Sequence, residues 1–523
     1  MIYNLRVCVL LFLLVFSPAC NFPGFAFGQT GLSPKALRQT IEAQSQATSP
    51  GASPEPEGTR PSSISPLLSP FPGLATGTPE GNPSTEPVSG HNPDDFQYVS
   101  RSGDTLAVIA SRFGVEPKQI SSAQSIPPES FIPLGQLIDI PNTIGQLSYP
   151  SAVLPDSEVI NSPSTIGFNI QELVSGIGFL STYAENVSNQ RISGVDIVRR
   201  VALESSVNPR FLLAFLEYRS GWVSGQPVDP SKNKYPIGFH VSGWDGLYKE
   251  LVISATHLNA GYYGWRAAKV TNLVFQDGSS VRISPQLNPG SVAVQYLFSK
   301  LYTQDDWRKA IYDSDGFLDL YQQMFGDPWI RGGATEPLFP DGLVQPELEL
   351  PFTPGERWSL TGGPHPSWKT GSPPGALDLA PVTGELRCAV SRAWVTASAS
   401  GLIVRSERNV VIIDLDGDGH EQTGWNVLYM HIADAERVSS GAWLEVDDPI
   451  GHPSCEGGTS TGIHVHIARK YNGEWIAADG PLPFVLSGWV AYAGKKDYLG
   501  ELKKGDQVAV ANPVGPHTSI VIR

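Results

Sequence analysis

Proline sets where this chain can and cannot build a core. Eleven prolines fall between Pro50 and Pro93, in a polar stretch with few aromatic residues. A ring-fixed φ and a missing N–H keep such a stretch out of helix interiors and sheet centres, and its low hydrophobicity gives it little to bury. Residues 29–95 are therefore expected to form an extended or disordered tether. A Pro/Ser/Asn-rich join at 143–164 and a Pro/Leu-rich stretch at 336–354 read as two further linkers. Between these breaks lie three segments with periodic apolar patterning, 96–142, 165–335 and 355–523. A chain of 523 residues also exceeds what one hydrophobic core serves, so the expected class is multidomain α+β.

The first residues point to export. Arg6 precedes the apolar run Val7 to Phe16, the length of a signal-peptide core and too short for a stable membrane span, so residues 1–28 are expected to direct secretion. Ser17-Pro18-Ala19-Cys20 resembles a lipobox, in which Cys20 would carry a lipid anchor; cleavage after Ala26-Phe27-Gly28 is the alternative. Either route leaves the mature protein extracytoplasmic, secreted or lipid-anchored to the cell envelope. Of the four cysteines, Cys8 lies in the signal core and Cys20 at the possible anchor. Cys388 and Cys455 fall in folded sequence, where export permits a disulfide. The net charge of −15 without a Lys/Arg cluster excludes the electrostatic footprint of a nucleic-acid binder.

Residues 97–141 read as strand, helix, helix, strand: Tyr98-Val99, Thr105 to Phe113, Pro117 to Ala123 and Leu137 to Ile140, with Asp104 or Thr105 able to cap the first helix. Gly103-Asp104-Thr105-Leu106, Ile109-Ala110, Phe113-Gly114, Pro133, Gly135-Gln136 and Ile140-Pro141 closely resemble a LysM module, the small βααβ unit that binds N-acetylglucosamine-containing glycans. Gln124 stands where that family usually has Asn. The resemblance implies a glycan lying between the Gly103 to Leu106 loop and the Ile126 to Leu134 loop.

Residues 165–335 are expected to be mainly helical. Asn208-Pro209 is an N-cap followed by proline at the first helical position, and Phe211, Leu212, Leu213, Phe215 and Leu216 make the next helix buried nearly all round. The string around it is similar to the catalytic helix of lysozyme-like glycan-cleaving enzymes. Arg219 occupies the place of their glutamate, and an always-charged guanidinium cannot protonate a leaving group. Glu217 lies about 200° around the helix from position 219, so the domain is expected to be non-catalytic.

In the last segment, Gly462-Ile463-His464-Val465-His466-Ile467 alternates as a strand does, placing His464 and His466 on one face and the aliphatic residues on the other. Asn472-Gly473 is a hairpin turn signal. Asp414, Asp416 and Asp418 open like a calcium loop, but Trp425 stands where an EF-hand needs a bidentate Glu. The better reading is an acidic hairpin between strands Val410 to Ile413 and Trp425 to Tyr429.

Four strings complete a pattern: GGPH at His365, ALDLA at Asp378, LYMH at His431 and GIHVHI at His464 and His466. Together they closely resemble the lysostaphin-type zinc endopeptidases, and specifically their β-lytic branch. The resemblance implies an antiparallel, β-rich domain that binds Zn²⁺ through His365, Asp378 and His466, with His431 and His464 as the catalytic pair. Three protein ligands leave one tetrahedral position open, the arrangement of catalytic zinc. In the commoner branch the first ligand lies four residues before the Asp; Pro374 is there and has no donor, so His365, thirteen residues away, takes its place. The implied partner is peptidoglycan, its peptide for the peptidase and its glycan for the LysM module. Two rivals remain: a non-catalytic regulator of other wall hydrolases, and a peptidase acting on extracellular proteins.

Overall fold

The computed structural model describes residues 95–513 and 519–523, apart from 175, 177, 228 and 386–387. The expected export signal, Cys20 and the tether up to residue 94 lie outside the described residues. The described chain mixes helices with antiparallel sheet, and no helix in it is long and apolar enough to cross a membrane.

Strand β1 (Phe96–Val99) pairs antiparallel with β2 (Leu137–Ile140), and α1 (Leu106–Phe113) packs Ile109 and Phe113 against Tyr98, Ile138 and Ile140. Thr105 caps α1 by accepting the Val108 N–H, and Gly114 ends it in the left-handed region. The helix expected over Pro117 to Ala123 is instead one 3₁₀ turn, Pro117–Gln119. Ser121 exchanges both backbone hydrogen bonds with Asp139, at 2.8 and 3.1 Å, and a residue drawn to a strand in this way cannot continue a helix.

The middle of the chain is a helical layer: α2 (Gly194–Ser205), α3 (Pro209–Ser220), α4 (Leu247–Arg266), α5 (Pro289–Ser299), α6 (Gln304–Tyr312) and α7 (Phe317–Phe325), with two short hairpins. The Asn208 side chain accepts the Arg210 N–H at 2.9 Å, and Phe211 to Leu216 of α3 are fully buried. Both presumed linkers differ from expectation. Val153, Leu154, Val159 and Ile160 are fully buried in the helical core, and Leu338, Leu348, Leu350 and Phe352 are buried too. Proline keeps these stretches to short 3₁₀ turns and coil but does not prevent packing, because apolar residues outside helices and strands still lose water when laid on a neighbour.

The C-terminal region is built on one antiparallel sheet of β3 (Arg357–Pro366), β4 (Pro374–Pro381), β5 (Gly401–Glu407), β6 (Val410–Asp414), β7 (Trp425–Met430), β8 (Val465–Tyr471) and β9 (Ile520–Ile522). The order across it is β5-β6-β7-β8-β4-β3-β9, with short strands Trp443–Leu444 beside β5 and Glu474–Trp475 beside β8. Asn472 and Gly473 both have positive φ, 47° and 79°, as a two-residue hairpin of this hand requires. Alternation splits the sheet. Leu377, Leu379, Val427, Tyr429, Val465 and Ile467 face a core shared with a smaller four-stranded sheet. Ala376, Leu428, Met430 and Ala468 face the other way, into the core of the helical layer.

Arg266, at the end of α4, ties these parts together. Its guanidinium meets Glu474 at 2.8 and 2.9 Å, approaches Asp156 at 3.7 Å and donates to the Ser102 carbonyl in the β1–α1 loop. Glu474 is 2% exposed and Arg266 11%. Removing one partner of a buried pair strands the other charge, at a cost of ~3–5 kcal/mol. Arg266→Met is therefore expected to lower the denaturation free energy by about that much, and Arg266→Met/Glu474→Gln to recover part of it. Equal losses in the single and double variants, in urea titrations, would show that the pair is not coupled.

Candidate active site

His466 lies on β8 directly opposite both Met430 of β7 and Asp378 of β4, and His365 near the end of β3 pairs with Ala376. This register brings three donor atoms together. His365 Nε2 and His466 Nδ1 are 3.0 Å apart, and each is 3.3 Å from Asp378 Oδ1. Gly362 makes room: a Cβ there would sit 2.6 Å from Asp378 Oδ2. His464 immediately precedes β8, its Nε2 3.7 Å from Asp378 Oδ1. The His431 ring, in the positive-φ residue that follows β7, is 4.5 Å from that of His464. The structure thus brings all five sequence-derived residues into one cluster. His365, Asp378, His431 and His466 are 2, 8, 4 and 6% exposed, so the cluster is largely shielded from water.

The orientation of each ring follows from its other nitrogen. His365 Nδ1 donates to the Gly363 carbonyl at 2.8 Å, His466 Nε2 to Ser367 at 2.9 Å, His431 Nδ1 to Glu456 at 3.0 Å and His464 Nδ1 to Gly462 at 2.8 Å. A carbonyl only accepts, so in the neutral rings the second nitrogen presents a lone pair. At His365 and His466 those lone pairs face each other and a carboxylate oxygen that has no hydrogen-bond donor. Three electron-rich atoms so close repel unless a cation lies among them. Tetrahedral zinc with bonds of ~2.0–2.1 Å places its ligand atoms roughly 3.3 Å apart, which matches the observed triangle. The donor set of two imidazoles and a carboxylate fits zinc in chemistry and in spacing.

Charge is graded across the cluster. Burial opposes the Asp378 charge, yet with no cation present the hydrogen bonds of His365 and His466 and the charge of His365 in their protonated forms hold it well below the usual carboxylate range. Burial also opposes protonation of His365, but Asp378 lifts it above an ordinary histidine. Burial, with His464 beside it, pushes His431 down to about 4, so His431 is a neutral acceptor at neutral pH.

Of the supports of this site, the Cys388–Cys455 disulfide is expected from the sequence, and others carry no sequence signal. The Tyr498 ring stacks on His365 at 4.2 Å, from a loop far along the chain with no motif to mark it. The Glu456 carbonyl that orients His431 adjoins Cys455, which forms a disulfide with Cys388 (Cα–Cα 5.0 Å). Ser454 N–H donates to the His431 carbonyl, and Ser454 bridges to His464. The disulfide therefore braces the loop that holds both flanking imidazoles. In the helical layer, Glu217 is turned inward and accepts the Val223 and Ser224 N–H groups at 2.8 and 3.1 Å. Arg219 points elsewhere, to the Ile237 carbonyl. The two loops expected to hold glycan line a cavity of about 170 Å³, but Phe339 to Gly342 form its other wall. Ser102 donates to the Phe339 carbonyl, and the Leu134 N–H to Asp341.

Residues 98–141 match the LysM domain family, and residues 152–338 match the family described as LasA, N-terminal domain. The latter span begins earlier than the expected 165 and covers the region likened to lysozyme. The chain is 26% identical over 380 residues to Protease LasA of Pseudomonas aeruginosa (strain UCBPP-PA14), covering 64% of this chain and 78% of that protein. It is 30% identical over 167 residues to the Beta-lytic metalloendopeptidase of Achromobacter lyticus, covering 30% of this chain and 40% of that one. A solved M23 metalloprotease, pseudoalterin, aligns with 34% of this chain and 100% of its own at 21% identity and a TM-score of 0.28. The chain is thus similar to proteases of the LasA and β-lytic kind, and its residues 98–141 match the LysM domain.

Removing the disulfide in Cys388→Ala/Cys455→Ala is expected to cost ~2–5 kcal/mol of stability and to lower turnover more than metal content, because it loosens His431 and His464 rather than the His365, Asp378 and His466 triangle. Metal analysis beside initial rates checks this; parallel loss of both would place the brace at the triangle instead.

Proposed function

We propose that this protein is an extracytoplasmic zinc endopeptidase that hydrolyses peptide bonds of peptidoglycan. The observation that carries the reading is the convergence of His365 Nε2, Asp378 Oδ1 and His466 Nδ1, with a buried carboxylate oxygen left without a donor. These three residues would hold the metal. When bound, zinc polarises a carbonyl and acidifies water.

The chain's own side chains supply the rest. Backbone carbonyls fix the Nδ1–H of His431 and of His464, so each neutral ring offers an unprotonated Nε2. His431, neutral at physiological pH, suits proton acceptance from an attacking water and return of that proton to the leaving amine; His464, adjacent to Asp378, is placed to donate a hydrogen bond to a developing oxyanion when its Nε2 carries a proton. The buried surround excludes bulk water, which strengthens each of these interactions. Neither residue at the place of the glycan-cleaving acid can supply it: Glu217 is sequestered by backbone donors and Arg219 cannot transfer a proton. The LysM module supports a wall substrate, since a glycan-binding unit in the same chain raises the local concentration of peptide stems.

Three experiments test this reading. Incubation of the protein with purified peptidoglycan, followed by mass spectrometry, is expected to release new amino termini without new reducing sugars; glycan cleavage alone would refute it. His365→Ala is expected to lose stoichiometric zinc, whereas His431→Ala and His464→Ala keep it and lose ~10²–10⁴-fold in turnover; near-normal rates in both would remove them from the mechanism. Leu134→Glu, an exposed position next to Pro133 in one of the two loops that line the LysM cavity, is expected to weaken retention on insoluble peptidoglycan about tenfold, ~1.4 kcal/mol, with hydrolysis of a small soluble peptide unchanged. Unchanged retention would make the module a spacer.

A further inference from the structure

We propose that the β6–β7 loop binds a calcium ion through Asp414, Asp416 and Asp418. One carboxylate oxygen from each lies within 4.8 Å of the others. Among the described residues, no Lys, Arg or His stands in ion-pair range of any of them; the basic residues Arg405 and Lys470 of this face are committed to Glu421, at 3.0 and 3.2 Å. Three acidic groups thus gather with no counter-charge.

Acidic clusters on exposed turns are common, and the decisive feature here is buried. Asp414 is fully buried. Its Oδ2 accepts the Gly419 N–H at 2.9 Å, while Oδ1 has no donor. Asn426, directly opposite in the β6–β7 register and 1% exposed, likewise leaves its Oδ1 without a donor. Two unsatisfied buried oxygens on paired residues of one sheet face are costly, and a cation held by the cluster satisfies that of Asp414. Burial, a hydrogen bond shared with Asp416 and the charges of Asp416 and Asp418 also push Asp414 up to about 6, as carboxylates crowded without a cation are.

The donors are all oxygen, which selects a hard cation over zinc. The turn bends tightly around its carboxylates: a Cβ on Gly424 would sit 2.2 Å from Asp416 Oδ2. Asp418 accepts the His420 N–H at 2.8 Å through Oδ1 and the Thr423 hydroxyl at 2.7 Å through Oδ2, which fixes its carboxylate within the turn. Calcium accepts such an irregular set of six to eight oxygens, whereas magnesium demands near-octahedral ligands. Trp425 in place of a bidentate Glu leaves the remaining positions to water and backbone carbonyls, which places the affinity in the weak class of ~10⁻⁴–10⁻³ M. Bound calcium would lock the loop that carries Glu421, and with it the buried contact to Lys470 on β8.

The full-length protein, stripped of divalent ions and reloaded with one equivalent of zinc, is titrated with CaCl₂ while thermal unfolding is followed. The expected result is a saturable rise in Tm with a midpoint of ~10⁻⁴–10⁻³ M, absent with MgCl₂ at equal ionic strength. It should be absent in Asp416→Asn/Asp418→Asn, both exposed positions, and retained in His365→Ala. Because the Trp443 ring packs against Gly417, terbium is expected to show tryptophan-sensitised luminescence that calcium displaces, lost in the same double variant. No calcium-dependent shift up to about 10 mM, an equal shift in the double variant, or an equal shift with magnesium would overturn the proposal. None of these outcomes depends on peptidase activity.

Discussion

The ion contact between Arg266 and Glu474 is the constraint on which the arrangement of the whole molecule turns. A guanidinium is a rigid planar fork that donates in several directions without losing its charge. Here one fork reaches the hairpin after β8, the loop before α1 and the first turn of the helical region at Asp156. The LysM module, the helical layer and the catalytic sheet therefore share a fixed geometry rather than hanging as beads on linkers. Arg112 reinforces it from the other side: paired with Asp104 at 2.7 Å, it also donates to the Trp265 carbonyl, one residue from Arg266. Each partner is buried, so separating the parts would strand charges that only this docking satisfies.

Within that frame the site depends on restraint of the imidazoles. A histidine side chain alone has two freely rotating bonds and two usable nitrogens. At all four histidines a backbone carbonyl removes that freedom, selecting both rotamer and tautomer. Such outer contacts orient metal-binding rings and tune their basicity. The carbonyls come from Gly363 within β3 and from Ser367, Glu456 and Gly462 in the turns beside the strands, so their positions depend on strand register and on the disulfide.

Much of this was legible in the sequence because it obeys short-range rules. Alternation predicts that His464 and His466 share one face of β8 and the aliphatic residues the other, Asn472-Gly473 predicts the hairpin, and Asn208-Pro209 predicts the start of α3. What escaped is long-range. Composition marks 143–164 and 336–354 as breaks but cannot say that Val153 or Leu350 finds a hydrophobic surface once the domains dock. The short 3₁₀ turn at Pro117–Gln119 is decided by Asp139, some twenty residues away. Tyr498 has no spacing relation to His365. The acidic loop was read correctly as a turn between strands, yet whether its first carboxylate is buried or solvated depends on the cross-strand partner and the layer above it.

That layer also fixes how a substrate can approach. The imidazoles project from the same sheet face that buries Ala376, Leu428, Met430 and Ala468 in the helical core, so travel along the strands toward the site is closed by helices. The loop from Pro366 to Gly375 is held from that side as well: a Cβ on Gly371 would lie 2.5 Å from the Thr256 carbonyl of α4. The opposite flank is built differently. Tyr498 is 49% exposed while its ring covers His365, and Gly458, in the loop after the disulfide, lies beside His431 with no side chain to fill the space. A polypeptide reaching the cluster must therefore enter between the Tyr498 loop and the Gly457-Gly458 turn, where the wall consists of one movable ring and bare backbone.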